Sequence, residues 1–281
     1  MKYRAEIDGL RALAVLPVIL FHAGFEQFSG GFVGVDVFFV ISGYLITTII
    51  ISEMAEGKFS IVNFYERRAR RILPALFFVM AACLPFAWLW LTPNDLKDFG
   101  QSLVAVSTFS SNILFWFESG YFEGTAELKP LLHTWSLAVE EQFYIFFPLI
   151  LIFFTKNNYF KNFVFVALCI LFFSSLFYSE YNSSKNISSN FYLIYSRVWE
   201  LMFGSIIAYV SLKANYRSNI TSKYFSSIGM ILLISSVFLL DKTITHPSFY
   251  TLIPVLGVGM IILFTNNNSI DIVSGTGNTR K

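Results

Sequence analysis

GFVGVDVFFVISGYLITTII, residues 31–50, is a run of twenty residues with a single charge, Asp36. Its reading decides the fold. A helix rises 1.5 Å per residue, so about twenty apolar residues cross a hydrocarbon core of about 30 Å. Working outward, runs of similar length recur, and the candidate spans are 10–26, 33–51, 72–92, 140–155, 162–179, 192–212, 224–240 and 249–265. Composition agrees: 55% of the 281 residues are hydrophobic, 14% are charged and 33 are Phe, whereas a soluble domain carries about a quarter charged residues. The expected fold is all-α, a polytopic transmembrane helix bundle of about eight crossings.

One further run, SLVAVSTFSSNILFWF (102–117), is shorter and more polar. If it dips in and returns, fourteen loop Lys and Arg residues share one face and four the other; if it crosses, the split is ten to eight. Lys and Arg concentrate on the cytoplasmic side. The run is therefore expected to be re-entrant from the outer side, with both termini cytoplasmic. Such a backbone is tolerated only where protein or a water-filled cavity covers it.

The net charge of +2 says little about partners, and no nucleic acid is expected among them. Cys83 and Cys169 sit inside apolar runs and read as packing residues, and no metal site is expected. The first run is followed by GFEQFSGG, with no small-residue cleavage pattern, and so reads as a retained helix. SEYNSSKNISSNF (179–191) reads as a polar loop; residues 1–265 form the membrane domain, and 266–281 a polar tail.

Ionisable residues inside a membrane are costly and mark functional sites. Arg11 and His22 are eleven residues apart, which places them on one face of a helix about 16 Å apart along the axis. The alternative for each is an interfacial role, snorkelling for Arg11 and a satisfied imidazole for His22. Asp36 enters its helix near the depth of His22, where a carboxylate could orient an imidazole acting as a base; a solvated helix-end aspartate is the alternative. Ser42 and Gly43 read equally as a small-residue packing seam or a substrate contact. ERRARR (66–71) reads as a topology-setting patch or as a phosphate clamp, because guanidinium forks bind phosphate oxygens in pairs. In HTWSLAVEEQFY (133–144), Thr134 or Ser136 could cap a helix whose first turn holds Glu140 and Glu141. Arg197 and Glu200 lie one turn apart and could simply neutralise each other. Together these residues suggest a basic inner entrance, an outer cluster of His22, Asp36 and Glu140, and a polar column between.

Five stretches then match a known pattern in order. RALAVLPVILFH (11–22) has an Arg and a His separated by ten residues, FVGVDVFFVISGYLIT (32–47) contains Phe-x-x-Ser-Gly, and RRARR (67–71) contains Arg-x-x-Arg. LLHTWSLAVEEQFYIFFP (131–148) and RVWELMFG (197–204) complete the set. Over roughly residues 4–265 the chain resembles the acyltransferase 3 membrane family, which includes O-antigen (lipopolysaccharide) and peptidoglycan O-acetyltransferases.

That resemblance implies transfer of an acyl group, usually acetyl from cytoplasmic acetyl-CoA, to a hydroxyl of a cell-envelope polysaccharide, by a multi-pass protein of the bacterial inner membrane. Its partners would be membrane lipid and the envelope glycan. The expected site has His22, Asp36 and Glu140 as catalytic residues, His22 acting as general base or as a transiently acylated relay. Arg11, Arg68 and Arg71 would engage the cofactor, and Ser42, Tyr44, His133, Arg197 and Glu200 would line the substrate path. Members sharing the KPLLHTWSLAVEEQFY (129–144) style continue into an extracytoplasmic hydrolase-like domain, so 266–281 is expected to be the end of a truncated chain. The alternatives are a small-solute transporter or an inactive fragment of a larger acyltransferase.

Overall fold

The computed structural model describes residues 4–119, 129–156, 163–213, 220–241 and 243–265. The tail 266–281 lies outside them, as do Lys2, Lys161, Arg217, Lys242, Arg280 and Lys281 of the charge tally. The described residues form helices and no strand: α1 (Ala5–His22), α2 (Gly34–Ala55), α3 (Ile61–Trp90), α4 (Pro93–Ser107), α5 (Ser111–Ser119), α6 (Thr134–Lys156), α7 (Val164–Asn182), α8 (Ile187–Tyr192), α9 (Ile194–Lys213), α10 (Ile220–Leu239) and α11 (Leu252–Phe264). Five stretches are long and apolar enough to cross a membrane: Gly31–Ala55, Ile61–Trp90, Thr134–Thr155, Val164–Asn182 and Ile187–Leu212. Lys223–Leu239 and Phe249–Phe264 are shorter apolar helices, and α1 carries Glu6, Asp8 and Arg11.

Several boundaries differ from the sequence reading for local reasons. α1 ends at His22 because Gly24 takes a left-handed φ of 84°, with Phe25 N–H donating to the Leu20 carbonyl and Gly24 N–H to that of Phe21. That pairing closes a helix and is open to glycine at no steric cost. α3 starts at Ile61, capped by the Ser60 hydroxyl, so ERRARR lies within the helix and not at its start. The run 102–117 is two helices, because Phe109, at φ 52°, breaks it between α4 and α5. Three of its polar residues, Ser102, Ser111 and Asn112, are buried, whereas Ser107 and Thr108 are exposed; Asn112 is hydrogen-bonded to Gln142 (2.8 Å) and to the Tyr192 carbonyl (3.1 Å). SEYNSSKNISSNF is no open loop; α7 runs through Asn182, and Ser179, Asn182 and Asn190 are buried.

The centre of the bundle is α2 against α9, with α7 behind α9 and α1, α6 and α11 around α2. A Cβ at Gly43 would collide with the Leu201 backbone, and one at Gly204 with that of Val40. Small residues thus let two backbones touch, and Thr47 donates to Ser205 across the same seam at 2.8 Å. Cys83 and Cys169 are unpaired thiols. α3 is the outermost long helix, presenting Phe77, Phe78, Trp88, Leu89 and Trp90 outward, a surface suited to hydrocarbon.

Candidate active site

The expected outer cluster of His22, Asp36 and Glu140 does not form. Its members belong to three separate groups, and Asp36 does not orient His22.

The first group is a pair of imidazoles. His22 is the last residue of α1 and His133 immediately precedes α6; both are exposed, with ring centroids 4.5 Å apart and planes at 81°. His22 Nδ1 lies 2.8 Å from the Val18 carbonyl oxygen. A carbonyl only accepts, so the bond requires the proton on Nδ1 and leaves Nε2 as the basic lone pair of the neutral ring. Partial burial, and then the neighbouring His22, push His133 below the usual histidine range. His133 is thus biased towards its neutral form, the form in which an imidazole acts as a base.

The second group lies deeper. Glu140 is six residues beyond the start of α6, about 9 Å further along the axis. It is half-buried, accepts a hydrogen bond from Tyr144 at 2.8 Å and faces Ser42 on α2. Arg11 and Arg71 are close enough to act on its charge. The capping account of Glu140 and Glu141 fails, because neither is in the first turn of α6 and the Thr134 and Ser136 hydroxyls bond the carbonyls of Leu131 and His133. Gly43 forms the packing seam, and Ser42 beside it faces the Glu140 carboxylate.

The basic cluster also divides. Arg67 pairs with Glu53 at 2.7 Å and Arg70 with Glu66 at 2.7 Å. Arg68 and Arg71 have no ion pair among the described residues. The buried Arg68 Nε lacks a hydrogen-bond partner, and so does Oε1 of the nearby, buried Glu141. Arg11 bonds Asp8 at 3.2 Å on its own helix. Two guanidinium groups therefore remain available at the end of the column opposite His22.

The third group is sealed. Asp36, Arg197 and Glu200 have no exposed side-chain surface. Arg197 Nη1 is 2.8 Å from Asp36 Oδ1, 3.2 Å from Glu200 Oε1 and 3.2 Å from His246 Nε2, and its Nε donates to the Phe191 carbonyl at 3.0 Å. Arg197 and Glu200 thus do pair, as their spacing suggested, but within a larger cluster. Burial is the largest cause holding His246 below the usual histidine range. Tyr44 is also buried and is bonded by Arg4. Arg197, Glu200 and Tyr44 therefore do not line an open path. Among the described residues no group of three or more His, Cys, Asp or Glu could hold a metal ion.

Sequence reasoning missed Tyr144 and His246, and read Glu141 only as a capping carboxylate. Tyr144 was within reach of the helical spacing rule, being four residues from Glu140. His246, on the segment between α10 and α11, carries no spacing signal linking it to residues 36 and 197.

Comparison with known proteins was made against this geometry. A family model described as an acyltransferase domain (acyltransferase 3) matches residues 4–274. The chain is 37% identical over 246 residues to an uncharacterized protein of Haemophilus influenzae, covering 84% of this chain and 99% of that one. It is 34% identical over 238 residues to the O-acetyltransferase OatA of Staphylococcus aureus, covering 82% of this chain but only 38% of OatA. No solved structure matches.

Proposed function

The chain belongs to the acyltransferase 3 family, and from that premise we propose that it transfers an acetyl group from cytoplasmic acetyl-CoA to a hydroxyl of a cell-envelope polysaccharide. Membership of an acyltransferase family sets the solute-transporter alternative aside. OatA is named as an O-acetyltransferase, which supports acetyl as the group moved.

One observation carries the reading: His22, its Nδ1 bonded to the Val18 carbonyl, meets His133 at the head of α6, and Glu140 further along that helix lies near Arg11 and Arg71. Arg68 and Arg71 suit phosphate oxygens, since guanidinium groups bind them in pairs and neither is in an ion pair among the described residues, although Glu141 lies near Arg68 and Glu140 near Arg71. The donor supplies a thioester carbonyl. His22 Nε2 takes the proton of the acceptor hydroxyl as the oxygen attacks that carbonyl, the C–S bond breaks and CoA leaves as the thiol with that proton. In the relay route Nε2 first displaces CoA as the thiolate, and the acceptor oxygen then displaces the imidazole, its proton balancing the thiolate. The Val18 carbonyl holds the imidazole in the required tautomer in either route. Glu140, bonded by Tyr144 and beside Ser42, places a carboxylate midway along the column.

The direct test incubates membranes containing the full chain with acetyl-labelled acetyl-CoA and isolates the envelope glycan. The reading expects base-labile label in glycan, dependent on the protein. Label confined to water-soluble acetate, or none above membranes lacking the protein, would contradict it.

A further inference from the structure

The sealed cluster touches no substrate in this account, yet it adjoins the imidazole pair. We propose that His246 is a positioning residue for acyl transfer, holding the Arg197 guanidinium against Trp135 and, through Trp135, fixing His133 beside His22. The role rests on the transfer function proposed above.

The hydrogen-bond chemistry defines the state of His246. His246 Nε2 lies 3.2 Å from Arg197 Nη1, which only donates, and 3.4 Å from Asp36 Oδ1, which only accepts; in the neutral ring with its proton on Nδ1, Nε2 accepts from the guanidinium. The proton is then on Nδ1, which donates to Thr251 Oγ1 at 3.1 Å. The segment carrying His246 is itself anchored. The Pro247 carbonyl accepts from Asn190 at 2.8 Å, and Phe249 N–H donates to Glu180 at 2.7 Å. His246 is thus a fixed point from which Arg197 is held on one side, with Asp36 and Glu200 gripping the same nitrogen from others.

The guanidinium turns its face to aromatic rings. Its central carbon lies 5.3 Å from the Trp135 ring and 5.0 Å from that of Phe191, in the range of cation–π attraction. Trp135 is further clamped by Phe191 at 4.6 Å, Tyr192 at 5.7 Å and Phe39 at 6.2 Å between centroids. It lies in the first turn of α6, two residues from His133, whose ring meets His22 at 4.5 Å. A chain of contacts therefore runs from the α10–α11 segment through Arg197 and Trp135 to the imidazole pair. Carboxylates alone would charge-balance Arg197 but would not fix it from the side of that segment.

The test compares the full chain with His246→Phe, which keeps an aromatic ring but no acceptor, and His246→Gln, which restores one, in membranes at matched protein level. The readout is the rate of label transfer to glycan against acetyl-CoA concentration. His246→Phe is expected to lower kcat on the order of ten- to hundredfold, as small misplacements of reacting groups do, with KM for acetyl-CoA unchanged because Arg68 and Arg71 lie elsewhere. His246→Gln is expected to recover most of the lost kcat. Unchanged kcat in His246→Phe overturns the role, and so does a rise in KM equal to the fall in rate, or an equal loss in both variants. If His246→Phe fails to accumulate, His246→Gln decides alone: near-wild-type kcat supports the role and a large loss overturns it. Wild-type membranes that transfer no label break the proposed function itself, a result distinct from all of these.

Discussion

Asp36, Arg197 and Glu200 are closed off from solvent and bonded to one another, whereas His22 and His133 are exposed and Glu140 is half-buried with Ser42 and Tyr144 beside it. Both polar regions sit in the same apolar bundle, and both contain the carboxylates and cations that a membrane makes costly. The difference lies in what their partners leave over. In the sealed region Arg197 Nη1 and Nε are gripped by Asp36, Glu200, His246 and the Phe191 carbonyl, which ties α2, α9 and the α10–α11 segment together. Asp36 Oδ2, Arg197 Nη2 and Glu200 Oε2 lack a hydrogen-bond partner but are closed off from solvent. In the other region His22 and His133 are exposed, and Arg68 and Arg71 have no ion pair among the described residues, so an imidazole nitrogen and two guanidinium groups remain for something else. A buried charge is thus not by itself a functional residue; an exposed imidazole or a cation without an ion pair is the better marker.

That comparison can be broken at its strongest point first. Replacing Asp36 with Ala leaves the fully buried Arg197 without its shortest partner and is expected to destabilise the protein by about 3–5 kcal/mol, read as thermal unfolding in detergent. A loss below about 1 kcal/mol, the value of a surface pair, would show that the region is not sealed. In the open column, Arg68→Ala with Arg71→Ala is expected to weaken acetyl-CoA binding on the order of tenfold or more, by isothermal titration. Arg67→Ala with Arg70→Ala, which removes cations already paired with Glu53 and Glu66, is expected to leave affinity nearly unchanged. Equal effects of the two double variants would remove the phosphate-clamp role. Tyr144→Phe deletes one hydrogen bond to Glu140 and is expected to cost transfer about 1 kcal/mol, a several-fold fall in kcat. The smallest effect is expected outside both regions: Phe78→Leu on the outward face of α3 should change stability by less than about 0.5 kcal/mol.

How much of this could be read from the chain alone follows the same division. Helices were legible because apolar runs of membrane length announce themselves, and the five ordered motifs pointed to the family. Helix ends were less so: α1 stops at His22 because of the backbone at Gly24, and 102–117 breaks at Phe109, where a non-glycine residue takes a positive φ that composition does not signal. Arg11, His22 and Glu140 were legible as candidates because each is a polar residue in an apolar run, and Arg68 and Arg71 because they belong to the arginine cluster ERRARR. Their grouping was not. Asp36 shares a depth with His22, yet its partner is 161 residues away on α9, and only the packing of Gly43 and Gly204 at the α2–α9 seam brings the two together. His246 lay beyond any local pattern.

The central claim, that His22 is the acid–base or acyl-relay group of a transferase, is tested most directly by His22→Ala. The measurement is ester-linked acetyl on the envelope glycan of cells with equal amounts of wild-type and variant protein. The account predicts a loss of about 10²–10⁴-fold in transfer rate, the contribution typical of a positioned acid–base group, and so no acetyl ester above that of cells lacking the protein. Acetylation unchanged at equal protein level would contradict it.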